Sequence, residues 1–225
     1  MTWQTVLEFA RGPFFYTALL FFIAGMAYRL ISVLALGWKR DRVPNKGSKA
    51  GGVVKTYLKG LLIWPFIPWV KNTFSRNPLV YIGGGLFHLG LFAAIFFGTP
   101  HMLVWKSLLG FGWPTLALPY VDWLAAIGII GMIILLINRR INPVVRLISG
   151  PAEYLSWLFV FLPMVTGYIM THHLWFQYEV LYSLHMLSVD VMLIWIPLSR
   201  ISHFMFYFFS RTIHGAEFGK RGVSV

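Results

Sequence analysis

The sequence predicts an all-α membrane protein, a five-transmembrane-helix bundle with its N-terminus out and its C-terminus in. Three observations predict it. Hydrophobic residues make up 58% of the 225 and charged residues only 12%, with a mean hydropathy of +0.70, outside the balance of a soluble globular domain. Hydrocarbon about 30 Å thick takes about 20 apolar helical residues to cross, and five segments qualify: 13–36, 79–100, 119–138, 152–171 and 181–208. Lysine and arginine gather in alternate connectors, which sets the orientation. All of 1–225 reads as one integral-membrane domain.

Before Pro13 the only basic residue is Arg11, and the first apolar run lacks the short core and small-residue cleavage pattern of a removed signal, so it is expected to stay as a span. The connector 37–78 carries Lys39, Arg40, Arg42, Lys46, Lys49, Lys55, Lys59, Lys71 and Arg76, and is therefore cytoplasmic. Within it DRVPNKGSKAGG reads as loop. The following YLKGLLIWPFIPWVKNTF is apolar and aromatic but interrupted by Pro65 and Pro68, so it reads as an interfacial anchor that does not cross. Arg139, Arg140 and Arg146 mark the connector after the third span as cytoplasmic, and Arg200, Arg211, Lys220 and Arg221 mark the tail. The outer loops offer only Lys106.

A formal charge of +12 would suit a polyanion, but nucleic-acid binding needs a soluble basic face, and here the charges sit between apolar runs. With no cysteine in the chain, disulfides, thiolate metal sites, iron–sulfur ligation and covalent haem attachment by this chain are excluded.

Seven histidines are present: His88, His101, His172, His173, His185, His203 and His214. An imidazole inside a span is costly and marks a site by default, although a lone one more often bridges two helices. Their spacing shifts that balance. His185 and His203 are eighteen residues apart, which on a continuous helix is five full turns, so they share one face about 27 Å apart. That layout suits two ligands stacked at different depths and cannot converge on one metal ion. Haem, an apolar macrocycle asking for axial imidazoles between helices, meets the requirement. The second span supplies His88 toward its inner half and His101 at its outer end; running opposite to the fifth, it sets His88 level with His203 and His101 level with His185. Two bis-histidine b haems follow, one inner and one outer, with these four histidines as axial ligands of the iron. A straight helix leaves His101 about 140° from the face of His88. Gly98-Thr99-Pro100 is the place where a bend swings it inward. His172 and His173, in THHLWFQYE, are substitutes for His101 and otherwise surface histidines; His214 lies past the last span.

FHLG around His88, the block LHMLSVDVMLIWIPLSRISH and the five-span layout resemble the membrane cytochrome b family that includes the gamma subunit of respiratory nitrate reductase. In nitrate reductase subunits the second-span histidines stand ten residues apart, against thirteen here, and Gly occupies position 98. That spacing, with WPTLALP, FLPMVTGY and SRISHFMFYFFSR, is more similar to a subgroup, the cytochrome b subunits of sulfite-reductase-linked and heterodisulfide-reductase-like transmembrane complexes of sulfur-metabolising prokaryotes. The resemblance implies a multi-pass subunit of the prokaryotic cytoplasmic (inner) membrane, exchanging electrons between menaquinone, or a similar quinone, and a cytoplasmic iron–sulfur subunit of heterodisulfide-reductase-like or molybdoenzyme type. An outer-face c-type cytochrome is a further implied partner. By the same resemblance His88 and His203 hold the haem near that subunit, and His101 and His185 the haem near the quinone pocket.

Quinol oxidation releases protons as well as electrons, and Lys106, Asp122, Glu179, His172 and His173 are the outer groups that could receive them, Lys106 foremost. Each taken alone is an ordinary polar loop residue. Asp190 lies inside the fifth span, five residues from His185 and so on another face, as a proton relay or an interhelical bond. Arg29 and Arg200 either snorkel to headgroups or pair with haem propionates. Gly83, Gly84, Gly85 and Gly90 lie inside a span and lack the flanks of a phosphate loop, so they read as places of close approach by a helix or a flat cofactor. Two other classes compete with the cytochrome. A cofactor-free membrane anchor leaves the same-face spacing unexplained, and a metal transporter meets few carboxylates within the spans.

Overall fold

The structure is a computed structural model, describing residues 2–37, 44–63, 67 and 73–223. Five helices are long and apolar enough to cross a membrane: α1 (Trp3–Ala35), α3 (Pro78–Phe97), α5 (Leu118–Ile141), α6 (Pro151–Thr171) and α7 (Tyr178–Leu198). Between them lie α2 (Lys49–Leu58) and α4 (Thr99–Leu109), and α8 (His203–Lys220) follows the last span. No strand occurs among the described residues. The chain is an all-α membrane protein with five spans.

Several expected boundaries move, each for a local reason. The first helix begins ten residues earlier than Pro13, capped by the Thr2 hydroxyl on the Thr5 N–H. Pro13 does not end it. The missing N–H is absorbed in a π-helical turn over Ala10–Phe14, with Gly12 outside helical geometry at φ −108°, ψ −106°. The expected loop around residue 50 is instead the start of α2, because the Ser48 hydroxyl accepts from the Gly51 N–H and begins a helix. The fifth span ends at Leu198, not 208. Ser199 is extended at φ −124°, ψ 179°, and short 3-10 turns stand on either side of it. His185 and His203 therefore do not lie on one continuous helix, and the shared-face argument built on eighteen unbroken residues fails at Ser199. Pro65 and Pro68 of the expected interfacial segment lie outside the described residues, as do Lys39, Arg40, Arg42 and Lys71.

The chain forms two compact units, residues 1–21 with 77–195 and residues 22–76 with 196–225. In the first, α3 packs along α5 and α6 along α7. Glycines bring α3 and α5 together: a Cβ on Gly90 would meet the Gly128 Cα at 2.7 Å, and one on Gly131 would meet the Phe87 amide nitrogen at 2.6 Å. Gly84 and Gly85 would meet nothing within 4 Å. The expected close approach thus belongs to Gly83 and Gly90 alone among the four. The start of α1 lies against α7, where the Ser183 hydroxyl is 3.3 Å from the Trp3 carbonyl and Arg11 sits 5.2 Å over the Tyr182 ring.

In the second unit α2 runs antiparallel to α8. Gly52 meets Gly215 and Gly219 backbone to backbone, the small-residue spacing that lets helices touch. The Tyr57 hydroxyl donates to the Phe208 carbonyl at 2.9 Å. Counted along the sequence, this unit holds 14 of the 19 Lys and Arg and two of the 7 Asp and Glu, a balance of +12 equal to that of the whole chain. The first unit is formally neutral.

Gly90→Ala is expected to lower the unfolding midpoint in detergent by an amount equivalent to about 1–3 kcal/mol, because backbone faces the new methyl. Gly85→Ala, meeting open space, is expected to leave the midpoint unchanged or raise it.

Candidate functional site

The second span breaks within the sequence stretch flagged for a bend. A π-helical turn over Ala93–Phe97 ends at Gly98, which is extended at φ −73°, ψ 127°, and α4 restarts with Pro100 in its first turn, where a missing N–H costs nothing. A helix end leaves its last four carbonyls without intrahelical partners, and in hydrocarbon water cannot replace them. Here each of the four is met. The Ala94 carbonyl receives the Gly98 N–H at 3.2 Å and His101 Nδ1 at 2.8 Å. Ile95 receives the Trp105 indole at 3.0 Å, Phe96 the Trp113 indole at 2.6 Å, and Phe97 the Leu116 N–H at 3.0 Å.

The bond to Ala94 sets the His101 ring. With the proton on Nδ1, the lone pair is on Nε2. Burial lowers the pKa of His101 from the ordinary imidazole value, the carbonyl opposing that in part, so the ring is neutral near pH 7.

The ring lies against His185 of α7, centroids 6.2 Å apart and planes inclined at 55°. His185 is 8% exposed, so it too is buried. Thr166 of α6 donates its hydroxyl to the Leu162 carbonyl at 2.7 Å and so accepts from His185 Nδ1 at 3.2 Å, which again leaves the lone pair on Nε2. Gly167 makes the seat for the ring, since a Cβ there would stand 3.1 Å from His185 Cε1. Imidazoles anchored at Nδ1, with the Nε2 lone pair left available, are the usual arrangement of metal-ligating histidines. At 6.2 Å between centroids the two rings are close enough to share one metal, whose bonds to imidazole nitrogen are about 2.0 Å. Among the described residues no group of three or more His, Cys, Asp or Glu converges on a point. A metal held here needs further ligands of its own, as a porphyrin supplies. The donor set and spacing fit a haem.

The remaining candidates fall as follows. His88, in the first unit, bonds the Gly84 carbonyl through Nδ1 at 2.7 Å and is flanked by Phe87 and Phe92. His203, in the second unit, bonds the Arg200 carbonyl through Nδ1 at 3.1 Å. Arg29 donates to the Ser199 carbonyl at 2.7 Å and to the Ser202 hydroxyl, capping the Ser199 break, while Arg200 is exposed. His172 does not join His101 and His185: its Nδ1 meets the Tyr168 carbonyl and its Nε2 stands 3.9 Å from Asp122. His173 is exposed at a positive φ of 50° against the ring of Tyr178, and Glu179 is exposed in the first turn of α7. His214 stacks on Phe218. Lys106 lines a cleft of about 310 Å³ with Met102, Gly112, Trp113 and Pro114, on the segment that carries His101. Trp105, Trp113, Thr166 and Gly167 were not foreseen, because their roles exist only once the helix has broken and α6 has met α7.

No family model matches the chain and no solved structure matches it. A relative from Nitratidesulfovibrio vulgaris (strain Hildenborough), named only "Protein", is 27% identical over 219 residues, covering 95% of this chain and 94% of its own.

Replacing Trp113 by Phe strips the Phe96 carbonyl of its donor, with an expected cost of about 1–3 kcal/mol. Unfolding in detergent measures it, against Trp123→Phe, at a side chain 72% exposed, which is expected to change little.

Proposed function

We propose that the chain is a dihaem b-type cytochrome subunit passing electrons between a membrane quinone pool, menaquinone by resemblance, and an iron–sulfur subunit on the cytoplasmic face. The observation that carries the reading is the meeting of His101 and His185, buried, 6.2 Å apart and both anchored at Nδ1. His101 and His185 would hold one haem, the outer, and His88 and His203 would hold the other, the inner. Haem supplies reversible one-electron chemistry.

The chain's own residues do the rest. The Ala94 carbonyl and the Thr166 hydroxyl hold the imidazoles in one tautomer and raise their basicity. His88, Phe92, Phe96 and Trp105 follow one another in ring contact, an apolar run leading away from His88. Lys106 would bind a quinone oxygen in the cleft it lines with Met102 and Trp113, or take part in its proton transfer. Asp122 and His172, 3.9 Å apart, form a second polar pair for a released proton, and Glu179 stands as a third acceptor. The Lys and Arg distribution supports an N-terminus outside and a C-terminus inside, and the resemblance supports a prokaryotic cytoplasmic membrane. The basic connector 37–78 and the basic tail would then face the iron–sulfur partner, and an outer c-type cytochrome would meet the other side of the membrane.

A cofactor-free anchor is favoured by one observation, the Thr166–His185 bond joining α6 to α7, which a purely structural histidine would also make.

Reduced-minus-oxidised spectra of the purified membrane protein separate the two. Haem α and Soret bands are expected, with His101→Ala and His185→Ala each removing the same half of the signal, and His88→Ala and His203→Ala the other half. A featureless spectrum from haem-replete cells leaves the anchor.

A further inference from the structure

Asp190 is 0% exposed, and neither carboxyl oxygen has a hydrogen-bond partner. An ionised carboxylate so placed in hydrocarbon would cost several kcal/mol or more. Among the described residues no counter-ion pairs with it. Asp190 is seven residues beyond Ser183 and so shares its face of α7, the face that meets the Trp3 carbonyl of α1. Further along, α7 packs against the π-helical turn Ala10–Phe14, where Gly12 leaves helical geometry and Pro13 lacks an N–H. A Cβ on Gly12 would meet nothing within 4 Å, so that side of the turn has no protein neighbour. The ionisable groups on the elements around this face are engaged or turned outward. Arg11 lies over Tyr182, Glu8 and Glu179 are exposed, His185 bonds Thr166, Tyr168 stacks on His172, and Glu153 accepts from the Gly150 N–H.

We propose that Asp190 is a proton-exchange site within the membrane: a carboxylic acid held neutral at rest, whose proton passes in and out by way of the turn at Gly12. In each exchange the carboxyl O–H bond breaks, the proton goes to a water molecule reaching that turn, and the carboxylate takes a proton back from the same water. No redox partner is needed, and the site stands independently of the haem reading.

The test is infrared spectroscopy of the full chain in lipid vesicles, with and without aspartate carrying carbon-13 in its side-chain carboxyl. A protonated-acid carbonyl stretch is expected at neutral pH. It should move with the carbon-13 label, disappear in Asp190→Asn, and shift within minutes of transfer to heavy water. A chain with Asp41→Asn and Asp122→Asn, in which Asp190 is the last aspartate, should keep the band and identifies it even if Asp190→Asn fails to assemble. The absence of any protonated aspartate band at neutral pH overturns the proposal, and so does a band that never responds to heavy water, which would mark a sealed structural acid.

Discussion

Hydrocarbon offers a backbone carbonyl nothing to bond with, so a membrane helix that stops must bring its own donors to the place where it stops. Much of this molecule follows from two such stops. At Gly98 the four released carbonyls recruit an imidazole, two indoles and one distant amide, and the loop after α4 is drawn back over the break by Trp113 and Leu116. At Ser199 the donors are the Arg29 guanidinium and the Ser202 hydroxyl on the Ser199 carbonyl, with His203 on the neighbouring Arg200 carbonyl. Each break ends with a histidine whose Nδ1 is committed to the backbone. Fixing the chain and fixing the tautomer are the same act.

The spans were legible because they rest on length and apolarity, quantities that a sequence carries directly. The bend near Gly98 was legible too, since Gly-Thr-Pro cannot continue a helix cleanly, and it brings His101 against His185 as expected. The break at Ser199 was not read. PLSRIS contains a proline, but Pro197 fits a 3-10 turn, and what disrupts the helix is the extended Ser199 held by Arg29, a contact spanning 170 residues. The two indoles were missed for the same reason: a tryptophan's role depends on which carbonyls are left over. Arg29, read as a propionate or headgroup partner, is engaged by the backbone in its own unit.

Glycine placement separates two uses of one residue within α3. Gly83 and Gly90 face α5 and let it approach to backbone contact, whereas Gly84 and Gly85 face open space and Gly84 also lends its carbonyl to His88. The sequence shows four glycines in eight residues and cannot divide them, because the division depends on which side α5 takes. On α6, Gly167 is a third case, spaced to receive a ring from α7 and not a helix.

The partition of charge between the units has an electrical consequence. Carrying the second unit across an energised membrane from the negative to the positive side would demand work on the order of 28 kcal/mol for every 100 mV, given about 2.3 kcal/mol per elementary charge. The first unit, formally neutral, feels almost none of that force. A field of that sign would act as a latch on the topology, holding the basic part of the chain on the negative side.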